Sequence, residues 1–145
     1  MRKNMGVYRG KTKDGDWIEG GYLHQTDFYG DKVDRHFIID GTDTQDYDIG
    51  YEHEVDPETV GEWTGMKDKN GKRIFEGDII GSMDGHDGYL SCEGYIVGAV
   101  FWDDETLSWQ VTNRIEAESY EILASDNETL EVIGNIHDNP ELVKE

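Results

Sequence analysis

The chain has 145 residues, 33 of them acidic and 13 basic, for a formal net charge of -20. Direct binding to nucleic acid needs Lys and Arg to neutralise phosphates, and this balance excludes it as an expectation. A single cysteine, Cys92, excludes an internal disulfide framework. No basic, apolar leader opens the chain and no apolar run approaches a membrane span, so the sequence is read as that of a cytoplasmic protein.

The bases are unevenly placed. Residues 1–73 hold 16 acids and 11 bases, whereas residues 74–145 hold 17 acids and 2 bases, Arg114 and Lys144. Such an excess serves solubility or attracts a basic partner. Hydrophobic content is 35%, and eight Tyr, four Trp and four Phe supply large rings that offset the shortage of aliphatics.

In chain order, the segment at Met5–Tyr8 leads to Asp14-Gly15, a hairpin signal, and "WIEGGYL" returns as a strand. "DRHFIID", Asp34 to Asp40, is a short apolar run whose paired isoleucines favour a strand. Gly41 to Glu54 is acidic and loop-like, with a short strand around Tyr47–Tyr51. Asp56 precedes Pro57, which predicts a single helical or 3₁₀ turn capped by Asp56.

"TGMKDKNGKRIFEGDII", Thr64 to Ile80, has the ingredients of a calcium loop but the wrong spacing. With Gly71 at the sixth position, Met66 and Gly77 fall where the two end ligands belong. Asn70-Gly71 predicts a type I′ hairpin instead, feeding a strand that breaks at Gly77. "EGYIVGAVFWDD" alternates, the link Asp103–Thr106 predicts a hairpin loop, and "TLSWQV" answers it. "SYEILAS" and "TLEVIGNIH" supply two more strands. Asn139 is placed to cap a short helix beginning at Pro140.

No segment carries a long 3.6-residue period. The expected fold is therefore mainly β: a β-rich N-terminal subdomain over residues 1–62, an SH3-like bent barrel over residues 63–145, and a short C-terminal helix. The two parts are also consistent with one integrated domain.

Candidate chemistry is sparse. Asp84, His86 and Asp87 in "DGHDG" are metal-type ligands close together, but adjacent residues in a glycine loop converge only with help from elsewhere. Cys92 reads as a packing residue. Histidines 24, 36, 53, 86 and 137 show no i, i+4 ligand spacing, and no phosphate loop or nucleophile elbow is present. No catalytic, cofactor or metal residue is assigned.

Three blocks, "YRGKTKDGDWIEGGYL", "VDPETVGEWTGMKDKNGKRIFEGDII" and "LEVIGNIHDNPEL", resemble the YopX-like proteins of bacteriophages and prophages in Gram-positive bacteria. The similarity runs from Tyr8 to Leu142. It departs from the family pattern at Tyr8, at the doubled Gly20-Gly21 and in the 84–92 loop. The resemblance implies a β-rich, phage-encoded protein without an established activity or catalytic residues to carry over. The functional expectation is a non-enzymatic protein–protein interaction module, self-associating or binding a basic host protein. An acidic mimic that inhibits a host nucleic-acid-binding protein is one alternative. A metal-assisted enzyme using Asp84, His86 and Asp87 is another.

Overall fold

The computed structural model describes residues 6–40, 51–82, 97–112, 119–121 and 130–143. The chain divides into two compact units, one spanning Asn4–Trp63 and the other Thr64–Glu145.

The first unit is an antiparallel meander. Strands β1 (Tyr8–Lys11), β2 (Trp17–Phe28), β3 (Asp31–Asp40) and β4 (Tyr51–Glu54) pair in sequence order. The start of β5 (Gly61–Lys67) then pairs with β1 through Tyr8↔Glu62 and Arg9↔Gly61. The turn at Asp14-Gly15 is present, with Gly15 at φ 92°. Residues 17–20 of β2 pair with β1 and residues 21–28 with β3, so Gly20-Gly21 is where the strand passes from one neighbour to the other. A Cβ on Gly20 would collide with the carbonyl oxygen of Ile39, whereas one on Gly21 would meet nothing within 4 Å. Phe37, Ile38 and Val55 are buried, and Val55 packs against the bare face of Gly10. The capped turn is as expected: Pro57–Thr59 is a 3₁₀ turn and the Asp56 side chain accepts from the Glu58 N–H.

In the second unit β5 continues beside β6 (Arg73–Phe75). The remaining strands are β7 (Asp78–Ser82), β8 (Val97–Asp103), β9 (Ser108–Thr112), β10 (Ser119–Glu121) and β11 (Leu130–Asn135). They form an open antiparallel sheet in the order β10-β9-β8-β7-β11. Ile74, Ile80, Val100, Trp109, Val111 and Leu130 make the buried cluster, with Met66, Trp102 and Val132 packed on it. Gly77, at φ 90°, turns β6 into β7.

The mainly β class is as expected, with three differences in detail. First, no closed barrel exists among the described residues. The outer edge of β11 is met by the β5–β6 turn rather than by a strand: Lys69 N–H donates to the Leu130 carbonyl (2.9 Å) and Val132 N–H to Asp68 Oδ2 (3.0 Å). Second, the Asn70-Gly71 hairpin is not type I′. Only Gly71 has a positive φ, 81°. Gly71 N–H donates to the Asp68 carbonyl and Asp68 N–H to the Lys72 carbonyl, the pattern of a type I turn closed by a glycine bulge. The Asp68 carboxylate selects it by accepting from the N–H groups of Asn70 and Lys72, both at 2.9 Å.

Third, the C-terminal helix is only a 3₁₀ turn, Pro140–Leu142. Asn139 makes no side-chain cap bond. Its Oδ1 faces back to β11, where it accepts from Asn135 N–H (3.3 Å) and lies against Gly134.

Candidate functional site

The densest polar constellation among the described residues sits on one face of the β2–β3 hairpin. Strand alternation puts Tyr22 and His24 on the same side of β2, and Asp34 and His36 on the same side of β3. The hairpin closes through Tyr29-Gly30, both at positive φ (50° and 87°), with Phe28 opposite Asp31. That is a two-residue type I′ geometry.

A bulge then resets the register. Between Gln25↔Arg35 and Asp27↔Lys32, the two residues Val33 and Asp34 face the single residue Thr26. This extra residue brings His24 opposite His36 and so to the same face.

The two imidazoles stack with centroids 4.1 Å apart and an interplanar angle of 12°. Both Nε2 atoms converge on Asp34 Oδ1, His24 at 2.7 Å and His36 at 3.0 Å. Tyr22 Oη meets His36 Nδ1 at 2.5 Å and its ring stacks on the His36 ring, with Tyr8 next in line at 5.6 Å. The proton positions follow from these contacts. A carboxylate only accepts, so both Nε2 atoms carry hydrogen in this arrangement; when His36 is neutral, the Tyr22 hydroxyl donates to its Nδ1. The hydrogen bond from His24, joined by that from His36, holds the Asp34 carboxyl below its ordinary pKa. Burial, with the Asp34 charge and Tyr8 adding to it, raises that of Tyr22. His36 is mostly covered, with 11% of its side chain exposed, while His24 (43%) and Asp34 (78%) open to solvent.

The other face of the hairpin carries a forked ion pair. Arg35 Nε donates to Glu54 Oε2 (3.2 Å) and Nη2 to Oε1 (3.1 Å), and the guanidinium lies over the Phe37 ring at 5.0 Å. The Arg35 hydrogen bonds lower the Glu54 pKa. A depressed carboxylate stabilises the fold above its unfolded pKa, and that contribution fades as pH falls through the folded value. Carboxyl-carbon NMR titration of the intact protein will therefore give a Glu54 midpoint below that of an exposed glutamate. Arg35→Gln will return it to the ordinary range. An unchanged midpoint in that variant would rule out Arg35 as the cause. A cleft of about 780 Å³ near this pair is lined by Lys11, Lys13, Glu52, Glu54, Asp56 and Thr59, so it mixes both charges.

His24, Asp34 and His36 carry no signal in the sequence as a site, because neither a twelve-residue separation nor a bulge shows in a period-two pattern. The Tyr-Gly dipeptide is the available signal for the hairpin. Asp84, His86, Asp87 and Cys92 lie outside the described residues, as does most of the predicted strand at Tyr47–Tyr51.

Two antiparallel sheets, with the densest polar cluster among the described residues on one hairpin, define a mainly β protein. The chain belongs to the YopX protein family, whose model matches residues 8–144. It is similar to the crystal structure of protein EF1440 from Enterococcus faecalis, at 25% identity and a TM-score of 0.57, over 98% of this chain and 100% of that one. No curated protein sequence matches it significantly. Among the described residues no helix is long and apolar enough to cross a membrane.

Proposed function

We propose that the protein is a non-enzymatic interaction module, a phage-type accessory protein of the bacterial cytoplasm that offers the β2–β3 hairpin tip to a basic protein. The observation that carries this reading is the exposed aromatic pair at the tip. Tyr29 is 93% exposed and Phe28 49%, with their rings edge to face at 4.6 Å. Tyr29 also holds φ 50°, a conformation that costs a non-glycine residue free energy and that Asn or Gly adopts more readily. Strain kept at an exposed ring is a mark of use rather than of packing.

Asp27, Asp31 and Asp34 surround the pair, with Lys32 the single base between Thr26 and Asp34. Aromatic anchors inside an acidic rim suit a cationic surface. The chain-wide charge of -20 favours a basic partner over a second copy of itself.

A photo-crosslinking phenylalanine analogue placed at Tyr29 tests this, with the exposed Glu58 as control position. The expected result is an adduct with one basic protein of the host, formed from Tyr29 and not from Glu58, and fading from low to high salt. A strict monomer by light scattering whose Tyr29 probe captures nothing would overturn the reading. So would the same adducts from both positions, or capture indifferent to salt.

A further inference from the structure

The geometry points to a divalent transition-metal site formed by His24, Asp34 and His36, a function separate from the aromatic tip and standing on different side chains. Three potential ligand atoms, the two Nε2 atoms and Asp34 Oδ1, lie within 4.8 Å of one another. In a tetrahedral zinc site with bonds near 2.0–2.1 Å, donor atoms sit about 3.4 Å apart. The present separations of 2.7 and 3.0 Å need to open by less than 1 Å, which rotation of the exposed Asp34 and His24 side chains supplies.

Three further features distinguish this cluster from a surface hydrogen-bond clasp. Both Nε2 atoms already converge on one point, Asp34 Oδ1, instead of diverging into solvent, and a tilt of the exposed His24 ring away from its parallel stack on His36 brings both in-plane lone pairs onto one ion. His36 already has an outer partner: when Nε2 binds an ion, Nδ1 carries the hydrogen and donates to the Tyr22 hydroxyl, the reverse of the present hydrogen bond, and the ring keeps its orientation. The donors also stand on paired strands with a register pinned by the Val33–Asp34 bulge, a more rigid support than a glycine loop.

The donor set selects the ion. Two imidazoles and one carboxylate suit Zn²⁺, Co²⁺ or Ni²⁺, whereas Mg²⁺ and Ca²⁺ prefer all-oxygen shells. Three protein ligands leave at least one position for water or for a donor from elsewhere, and the exposed Asp34 side opens towards solvent.

The test is titration of the full, tag-free chain with Zn²⁺ and, separately, Co²⁺, followed by calorimetry and by the Co²⁺ visible spectrum. A single saturable site is expected in this part of the chain. His24→Ala and Asp34→Ala should each weaken it by more than about tenfold, and Tyr22→Phe, which removes only the outer partner, by about tenfold. Imidazole ¹⁵N NMR of the wild-type chain gives a readout that does not depend on how the variants fold. Zinc should move the Nε2 signals of His24 and His36, and the His36 Nδ1 signal should change from that of an unprotonated to that of a protonated nitrogen as the tautomer switches. No binding at millimolar ion would overturn the assignment. So would equal binding in the wild type and both alanine variants, or zinc shifts confined to His53, His86 or His137. Crosslinking from Tyr29 is unaffected by either result, so this assignment and the interaction reading fail separately.

Discussion

Replacing Asp68 by alanine is expected to destabilise the second unit by about 2 kcal/mol, the cost of removing a buried charged acceptor and leaving three part-buried N–H donors unanswered. Asp68 is 5% exposed. Its carboxylate accepts from the N–H groups of Asn70 and Lys72 within the turn and from Val132 across on β11. The side chain therefore does two things at once: it selects the type I turn and ties that turn to the far strand. Asp68→Asn keeps one acceptor and should recover part of the loss. Asp14→Ala, at an exposed position in the first turn, should change stability by less than about 0.5 kcal/mol. Urea unfolding measures all three. Equal midpoints for Asp68→Ala and Asp14→Ala would show that the carboxylate carries no such role. The acid that suggested a calcium ligand in the sequence has amide hydrogens as its partners.

Gly20 and Gly21 should respond oppositely to the same substitution. Gly20→Ala drives a Cβ into the Ile39 carbonyl oxygen, and backbone on backbone has little room to yield. The β2–β3 ladder must shift, at an expected cost of about 3 kcal/mol. Gly21→Ala meets nothing within 4 Å and no positive φ is involved, so the change should stay within about 0.5 kcal/mol. Far-UV circular dichroism with thermal unfolding separates the two. Equal loss from both would mean that the requirement is for chain flexibility, not for space. The doubled glycine that departs from the family pattern thus reduces to one residue that is spatially required and one that is not.

Much of the fold can be read from local chemistry. Asp14-Gly15, the loop after Asp103 and the Asp56 cap before Pro57 are each written in adjacent residues, and the strands show as short alternating runs. What is not local is not readable. The carboxylate of Asp68 reaches a strand 64 residues away. That long-range tie puts a turn where a barrel would have put a strand. Asn139 has the identity of a cap, but its side chain serves β11 instead.

The His24–Asp34–His36 cluster is hidden for another reason. Counting outward from the Phe28↔Asp31 pair places Arg35 opposite His24 and turns His36 to the other face; only the extra residue at Val33–Asp34 restores His36 to that place. A bulge leaves no mark in hydrophobic periodicity, so the cluster emerges only once the strands are paired.

Each unit is a run of neighbour-to-neighbour hairpins, β1 to β4 and β7 to β10, finished by a strand that returns to the first: β5 to β1, and β11 to β7. The hairpins join residues close in sequence and can form early. The two returns close much longer loops, Tyr8 to Glu62 and Ser82 to Leu130, so their entropy falls on the late part of the folding reaction. In kinetic terms, changes inside the hairpins should alter refolding rates, while loosening the β11 anchor at Asp68 should chiefly speed unfolding. A chevron for Asp68→Asn with a slowed folding arm and an unmoved unfolding arm would place that closure in the nucleus instead.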